Sequence, residues 1–257
     1  MEFNVHSTNR AVILIPARFA SSRYPGKPLV KLLGKPMILW VAELAAQAIG
    51  VENVYIATDS ESIRETVVGA GFNVVMTGEA ITGTDRLAEA ANKIDASIFV
   101  NLQGDEPLVD PEDILKILSV KLANPTKVIN GFTYLDAQEK ADNVNIPKVI
   151  TNEKDELIYM SRAPLPGCKE PDKKPKRYKK QVCIYAFNKD ELNLFRDFGR
   201  KSELENFEDI EILRFLELGV AVQMVETRAG TYAVDTPEDV EIVEKEMLAQ
   251  GMSYEAE

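Results

Sequence analysis

Residues Ala11-Val12-Ile13-Leu14-Ile15 form an unbroken apolar run with three β-branched members. Such a run reads as a strand buried on both faces, and a strand with no polar face needs helices above and below it. The chain then supplies them in alternation. Over 36–49 the apolar residues Met37, Leu39, Trp40, Val41 and Leu44 return at helical spacing, with Pro36 acceptable in a first turn. Strand patterns follow at 54–57, 74–76 and 98–100, separated by helical patterns at 60–70 and 84–93. The expected class is α/β, a doubly wound and mostly parallel sheet. Ligands of such sheets lie outside the carboxyl ends of the strands, so the loops after Ile15, Met76 and Val100 are expected to converge. Trp40 reads as packing.

Beyond Asn130 the strand patterns at 131–135, 148–151, 157–161 and 181–187 are separated by turns, which suggests a smaller β-rich insertion over about 130–190. Residues 169–180 are charged and proline-punctuated, and they read as a solvated loop or, alternatively, a lid that meets anions. A helix over 207–218, a strand over 220–226 and a terminal helix over 237–248 follow, with helix-start signals at Asp235 and Thr236. With 257 residues and 45% apolar composition, one domain spanning 1–257 can bury a single large core, residues 1–10 being a polar tail.

Several function classes are disfavoured. No run approaches the roughly 20 apolar residues that span a bilayer, and the start MEFNVHSTNR lacks a secretion signal, so the expected compartment is the cytoplasm, with no membrane partner. A net charge of -11 disfavours nucleic acid, which needs a broad basic surface. Cys168 and Cys183 stand apart with no nearby histidine, so neither a disulfide framework nor a zinc site is indicated, and both read as buried structural residues. The sole histidine, His6, lies in the tail, which excludes an imidazole-based triad.

Four segments carry candidate chemistry. Directly after the first strand comes Pro16-Ala17-Arg18, then Ser21-Ser22-Arg23-Tyr24-Pro25-Gly26-Lys27-Pro28, in which Arg18, Arg23 and Lys27 can neutralise a phosphate chain and Gly26 lets backbone approach it. Neither a Walker loop nor a dinucleotide fingerprint is present. Thr82-Gly83-Thr84-Asp85-Arg86 offers hydroxyls and amides at a helix start. Asn101-Leu102-Gln103-Gly104-Asp105-Glu106-Pro107 offers a hard carboxylate oxygen, and Asp235 in Val234-Asp235-Thr236-Pro237 offers another. Taken singly, each has a plainer reading: a solvated basic loop, a helix cap, a Gly-Asp turn, and a second cap.

Together, IPAR, SSRYPGKPL, GKPMI, ATD, TGTDR, NLQGDEP, SRAPLP and VDTPEDV stand in the order and spacing of the bacterial 3-deoxy-manno-octulosonate cytidylyltransferases, and the chain resembles that family from Ala11 to Met247. The resemblance implies a Mg2+-dependent nucleotidyltransferase that joins CTP to an acidic sugar, acts as a homodimer, and uses the β-rich insertion on the sugar and dimer side. It puts triphosphate binding on Arg18, Arg23 and Lys27, cytidine contacts on Thr84, Arg86 and Gln103, and magnesium on Asp105 and Asp235. Catalysis would fall to Arg18, Lys27, Asp105 and Asp235, and sugar binding to Arg162, Gln181, Tyr185 and Glu211.

Two positions depart from the family pattern. Gln181 replaces the usual histidine of H-x-G-I-Y, and Ile212 replaces the glutamine of L-E-Q-L-R. Losing an amide beside a buried sugar group costs on the order of 1–3 kcal/mol, so the sugar is either 3-deoxy-manno-octulosonate or a related acid, such as an amino derivative or a nonulosonic acid. Rival classes are a glycosyltransferase, for which no D-x-D follows a strand here, and a non-catalytic nucleotide-binding module, which would not need both carboxylates.

Overall fold

The computed structural model describes residues 10–20, 24–136, 139–170, 175–228, 232–234 and 236–254. His6, Arg23, Asp235 and the middle of the basic segment, 171–174, lie outside the described residues. The hydrophobic run becomes β1 (Ala11–Ala17), and Val12, Ile13, Leu14 and Ile15 are all fully buried. The short strands β2 (Lys31–Leu32) and β3 (Lys35–Pro36) pair with each other apart from the main sheet, while β1 pairs in parallel with β4 (Val54–Thr58) on one side and β6 (Ile98–Leu102) on the other. Beyond β4 lies β5 (Asn73–Met76), and beyond β6 come β10 (Lys179–Asn188), β7 (Val128–Tyr134) and β11 (Val222–Glu226). Along that path only β10 runs against its neighbours.

The expected α/β sheet is therefore present. Helices α1 (Met37–Ile49), α2 (Glu61–Gly69) and α4 (Pro111–Ala123) cover one face, where Ile38, Val41, Ile63, Val67, Ile114 and Ile117 meet Ile13 and Ile15. On the other face α3 (Gly83–Ala91), α5 (Lys189–Asp197) and α7 (Ile212–Glu217) bring Leu87, Leu192, Phe195 and Phe215 against Val12 and Leu14. Each fully buried large aliphatic or aromatic side chain stabilises the fold by about 1.5–3 kcal/mol. Trp40 packs in a third cluster with Met37 and Val243 and donates to the Leu32 carbonyl at 2.9 Å, so it does serve packing.

The β-rich stretch divides between two places. β7 and β10 join the main sheet, while β8 (Lys148–Thr151) and β9 (Leu157–Ser161) form a hairpin that attaches to β10 through Lys148 and Lys180. α4 and α5 are absent from the sequence expectations, although each start is signalled: the Asp110 carboxylate accepts from the Glu112 amide ahead of Pro111, and Asn188 and Glu191 form a capping box. The single helix expected over 207–218 is in fact two, α6 (Glu203–Glu208) and α7, because Asp209 between them takes a left-handed conformation, φ 50°. A terminal helix, α8 (Asp239–Ala249), closes the described chain. Cys168 is exposed, contrary to the expected burial, and its thiol donates to the Glu170 carbonyl; Cys183 is half-buried. Among the described residues, no helix is long and apolar enough to cross a membrane.

Candidate functional site

From β1 the chain runs through α1 to β4 on one flank; from β5 it runs through α3 to β6 on the other flank. Strand order thus reverses between β1 and β6, and a crevice opens outside their carboxyl ends. A cleft of about 520 Å3 lies there, lined by Arg18, Lys27, Arg86, Gln103, Asp105 and Arg162 among others. The loops after β1, β5 and β6 meet as expected.

Local backbone chemistry shapes both lips. Gly26 sits at φ 71°, where a side chain is disfavoured, and its amide donates to the Phe19 carbonyl at 2.9 Å. That contact closes the basic loop and starts the short 3-10 turn Lys27–Leu29. Lys27 then reaches across to Asp105, Nζ to Oδ2 2.5 Å. Gly104 is needed for a different reason: a Cβ there would stand 3.2 Å from both the Pro16 carbonyl oxygen and Ile38 Cδ1. The loop after β6 is consequently pressed against the end of β1. Asp105 is held from a further segment as well, since the Val234 amide donates to its carbonyl at 3.0 Å.

The wall built by α3 uses its polar groups internally. Thr82 caps the helix, accepting from the Asp85 amide at 3.2 Å, while the amides of Gly83 and Thr84 donate to the two carboxylate oxygens of Glu211 at 3.1 and 2.8 Å. Glu211 thereby supplies the negative charge that a helix start favours. Thr84 is buried behind this cap. Arg86 lines the cleft, but its guanidinium donates to Asp59 at 2.6 Å, to Thr77 Oγ1, and to the Gly78 carbonyl. It ties the ends of β4 and β5 to α3.

Across the cleft, Arg162 follows β9, and among the described residues its guanidinium donates to backbone carbonyls: Glu208 at 2.5 Å, Val144 at 2.8 Å and Asp209 at 3.0 Å. Lys148, fully buried, likewise donates to the carbonyls of Asn143, Ile146 and Arg162 at 2.6–2.9 Å. Burial, then the neighbouring Arg162 charge, lowers the Lys148 pKa below the usual lysine value. These two cations shape the wall that includes Val144 and Asn145.

Not every expected residue reaches the cleft surface. Thr84, Gln181, Tyr185 and Glu211 are absent from the cleft lining. Gln181 Nε2 donates to the Tyr185 hydroxyl at 3.1 Å and to Asn130 Oδ1 at 3.2 Å, while Asn130 Nδ2 donates to the Val182 and Ile184 carbonyls freed by a bulge in β10. Burial, reinforced by Cys183 and Glu211, pushes the Tyr185 hydroxyl pKa well above its ordinary value. Ile212, the first residue of α7, is buried in the core, so this departure from the family pattern faces packing rather than the cleft. Among the described residues no three His, Cys, Asp or Glu gather as a metal cluster.

Sequence reasoning missed Asp59, Asp85, Glu205, Arg214 and Lys148 as organisers of the site. Asp59 and Asp85 stand inside the quoted motifs ATD and TGTDR, so a signal existed; the pairing of Arg214 with Asp85, 129 positions away, carried none, and neither did the burial of Glu205 and Lys148.

A family model described as cytidylyltransferase matches residues 12–228. The chain is 36% identical over 249 residues to the 3-deoxy-manno-octulosonate cytidylyltransferase of Escherichia coli, covering 96% of this chain and 100% of that protein. It is 38% identical over 240 residues to the 8-amino-3,8-dideoxy-manno-octulosonate cytidylyltransferase of Shewanella halifaxensis, covering 90% and 96%. A solved structure of a CMP:2-keto-3-deoxy-manno-octonic acid synthetase complexed with CTP superposes with a TM-score of 0.86 at 38% identity, covering 95% of this chain and 100% of that one. The chain belongs to the 3-deoxy-manno-octulosonate cytidylyltransferase family and is a nucleotidyltransferase.

Proposed function

We propose that the protein transfers CMP from CTP to the anomeric hydroxyl of a 3-deoxy-ulosonic acid and releases pyrophosphate. The observation that carries this reading is the switch-point cleft, with Arg18, Lys27 and Asp105 on its lips and Arg162 across from them. The sugar hydroxyl oxygen forms a bond to the α-phosphorus and loses its proton to solvent, while the bond from that phosphorus to the bridging oxygen breaks and its electron pair leaves with pyrophosphate. Arg18, Lys27 and, by resemblance, Arg23 stabilise the charge that grows on the triphosphate oxygens. Arg162 receives the sugar carboxylate, since no carboxylate side chain pairs with its guanidinium in the hydrogen bonds described above. Tyr185 keeps its proton at neutral pH and serves as a hydrogen-bonding group rather than a base.

Magnesium suits the donor set. It binds through one or two carboxylates together with substrate phosphate oxygens, and Asp105 offers a hard oxygen on a side chain 26% exposed beside the cleft. Asp105 and Asp235 would hold the ion. When bound, it neutralises phosphate charge and lowers the pKa of the attacking hydroxyl.

Two further parts belong to the proposal. The protein works in the cytoplasm, where CTP is available, and as a homodimer, a reading supported by the exposed apolar side chains of Ile158 on β9 and Phe207 on α6. The amino-sugar alternative stands beside octulosonate, because a Shewanella relative named for the 8-amino sugar matches at 38%, within the 36–41% range of relatives named for octulosonate itself. The test is pyrophosphate release with magnesium, using CTP and other nucleotides against octulosonate, its 8-amino derivative and nonulosonic acids, with light scattering for mass. Release with CTP and an octulosonate is expected; no release with CTP and any sugar acid would overturn the reading.

A further inference from the structure

We infer that residues 208–214 form a strut that sets the separation of the two cleft walls, and that Arg214 is the positioning residue anchoring it; this rests on the function proposed above. At one end, the Glu208 carboxylate accepts from the Arg162 amide at 2.8 Å, from Ser161 Oγ at 2.6 Å and from the Tyr159 hydroxyl at 3.3 Å. The carbonyls of Glu208 and Asp209 take two of the Arg162 guanidinium donors. This end grips the sugar-side wall.

At the other end, Glu211 caps the amides of Gly83 and Thr84, and Arg214 reaches Asp85 in the first turn of the same helix at 3.0 Å. Arg214 is fully buried and holds Glu205 through a second, two-pronged contact at 2.6 and 2.7 Å. Its guanidinium also donates to the Phe195 carbonyl at 3.1 Å and lies 3.6 Å from the centre of the Phe195 ring. Every edge of the fork is engaged, so the group has one position.

Between the two ends, Asp209 in its left-handed conformation turns the chain and lines the cleft itself. Burying one guanidinium with two carboxylates is a poor source of stability, because desolvation consumes most of the attraction. Fixing geometry is what such a network does well: planar, bidentate pairing restricts direction as well as distance. Here it holds the Thr82–Arg86 turn, which the nucleotide would meet, in register with Arg162, which the sugar acid would meet. Neither Arg214 nor Glu205 lines the cleft, so both act through other residues.

The test uses Asp85→Asn, which keeps the side-chain shape and leaves Arg214 paired with Glu205, and Arg214→Lys, which keeps the charge and loses the fork. Glu208→Ala, at the half-buried end of the strut, adds a variant that does not disturb the buried network. KM for CTP and for the sugar acid, kcat, CTP affinity by calorimetry and melting temperature are measured on each. All three variants are expected to raise both KM values together by roughly tenfold, with CTP affinity falling in parallel for the first two and a smaller change in kcat. Lower melting with both KM values unchanged, or a rise in only one KM across the set, overturns the strut. A parent enzyme that neither binds CTP nor releases pyrophosphate instead overturns the functional reading.

Discussion

Lys27 Nζ and Asp105 Oδ2 meet at 2.5 Å across the point where strand order reverses, one residue on the loop after β1 and the other on the loop after β6. The pair joins the cation expected to grip the triphosphate to the carboxylate expected to hold magnesium. The ion pair fixes the two side chains relative to each other on facing lips of the cleft.

Asp105→Asn is therefore expected to abolish pyrophosphate release while largely sparing CTP binding measured by calorimetry. Lys27→Met is expected to lower kcat/KM by roughly 10²–10³, the usual cost of removing one donor aimed at developing charge. Wild-type turnover in Asp105→Asn would count decisively against its role.

Gly104→Ala introduces a Cβ at 3.2 Å from the Pro16 carbonyl oxygen, which belongs to a buried strand and has little room to yield. Overpacking of this kind costs about 1–3 kcal/mol. Chemical denaturation should show that loss, and turnover should fall because Asp105 shifts with the loop. A neutral effect would mean that β6 and β1 separate freely.

The Arg86–Asp59 pair sits at the back of the nucleotide wall, with side chains 5% and 34% exposed. Asp59→Ala leaves a buried guanidinium with fewer partners, and a loss of about 1–3 kcal/mol is expected after allowing for the solvent that reaches Asp59. KM for CTP should rise with it. An unchanged KM would assign Arg86 to structure alone.

Glu208 provides a pH signature. Burial alone would raise its pKa, but the bonds from the Arg162 amide, Ser161 and Tyr159 outweigh that and hold it below the usual glutamate value of 4.5. A carboxylate whose folded pKa is depressed contributes stability above its unfolded value and loses it as pH falls through the folded one. The stability difference between the parent and Glu208→Gln should thus be full at neutral pH and shrink below about pH 4.5. Melting curves between pH 7 and 3 check it; a pH-independent difference would remove the carboxylate's charge from the explanation.

What the sequence by itself determined is local. The apolar run at β1 and the strand-helix rhythm that follows it dictate an α/β sheet, because an all-apolar strand needs cover on both faces and periodicity tells which segments provide it. The motifs at residues 16–28, 82–86 and 101–107 follow strands or open helices, and position in such a sheet alone sends them to one crevice. The turn at Asp209 was not legible, since a left-handed aspartate leaves no periodic trace and the flanking residues suit one continuous helix. Only the tertiary structure decided that Arg86 faces Asp59, that Glu211 caps α3, that Ile212 lies in the core, and that Arg214 joins Asp85 to Glu205. Those relationships depend on side-chain direction and on contacts between residues up to 129 positions apart, which no spacing along the chain encodes.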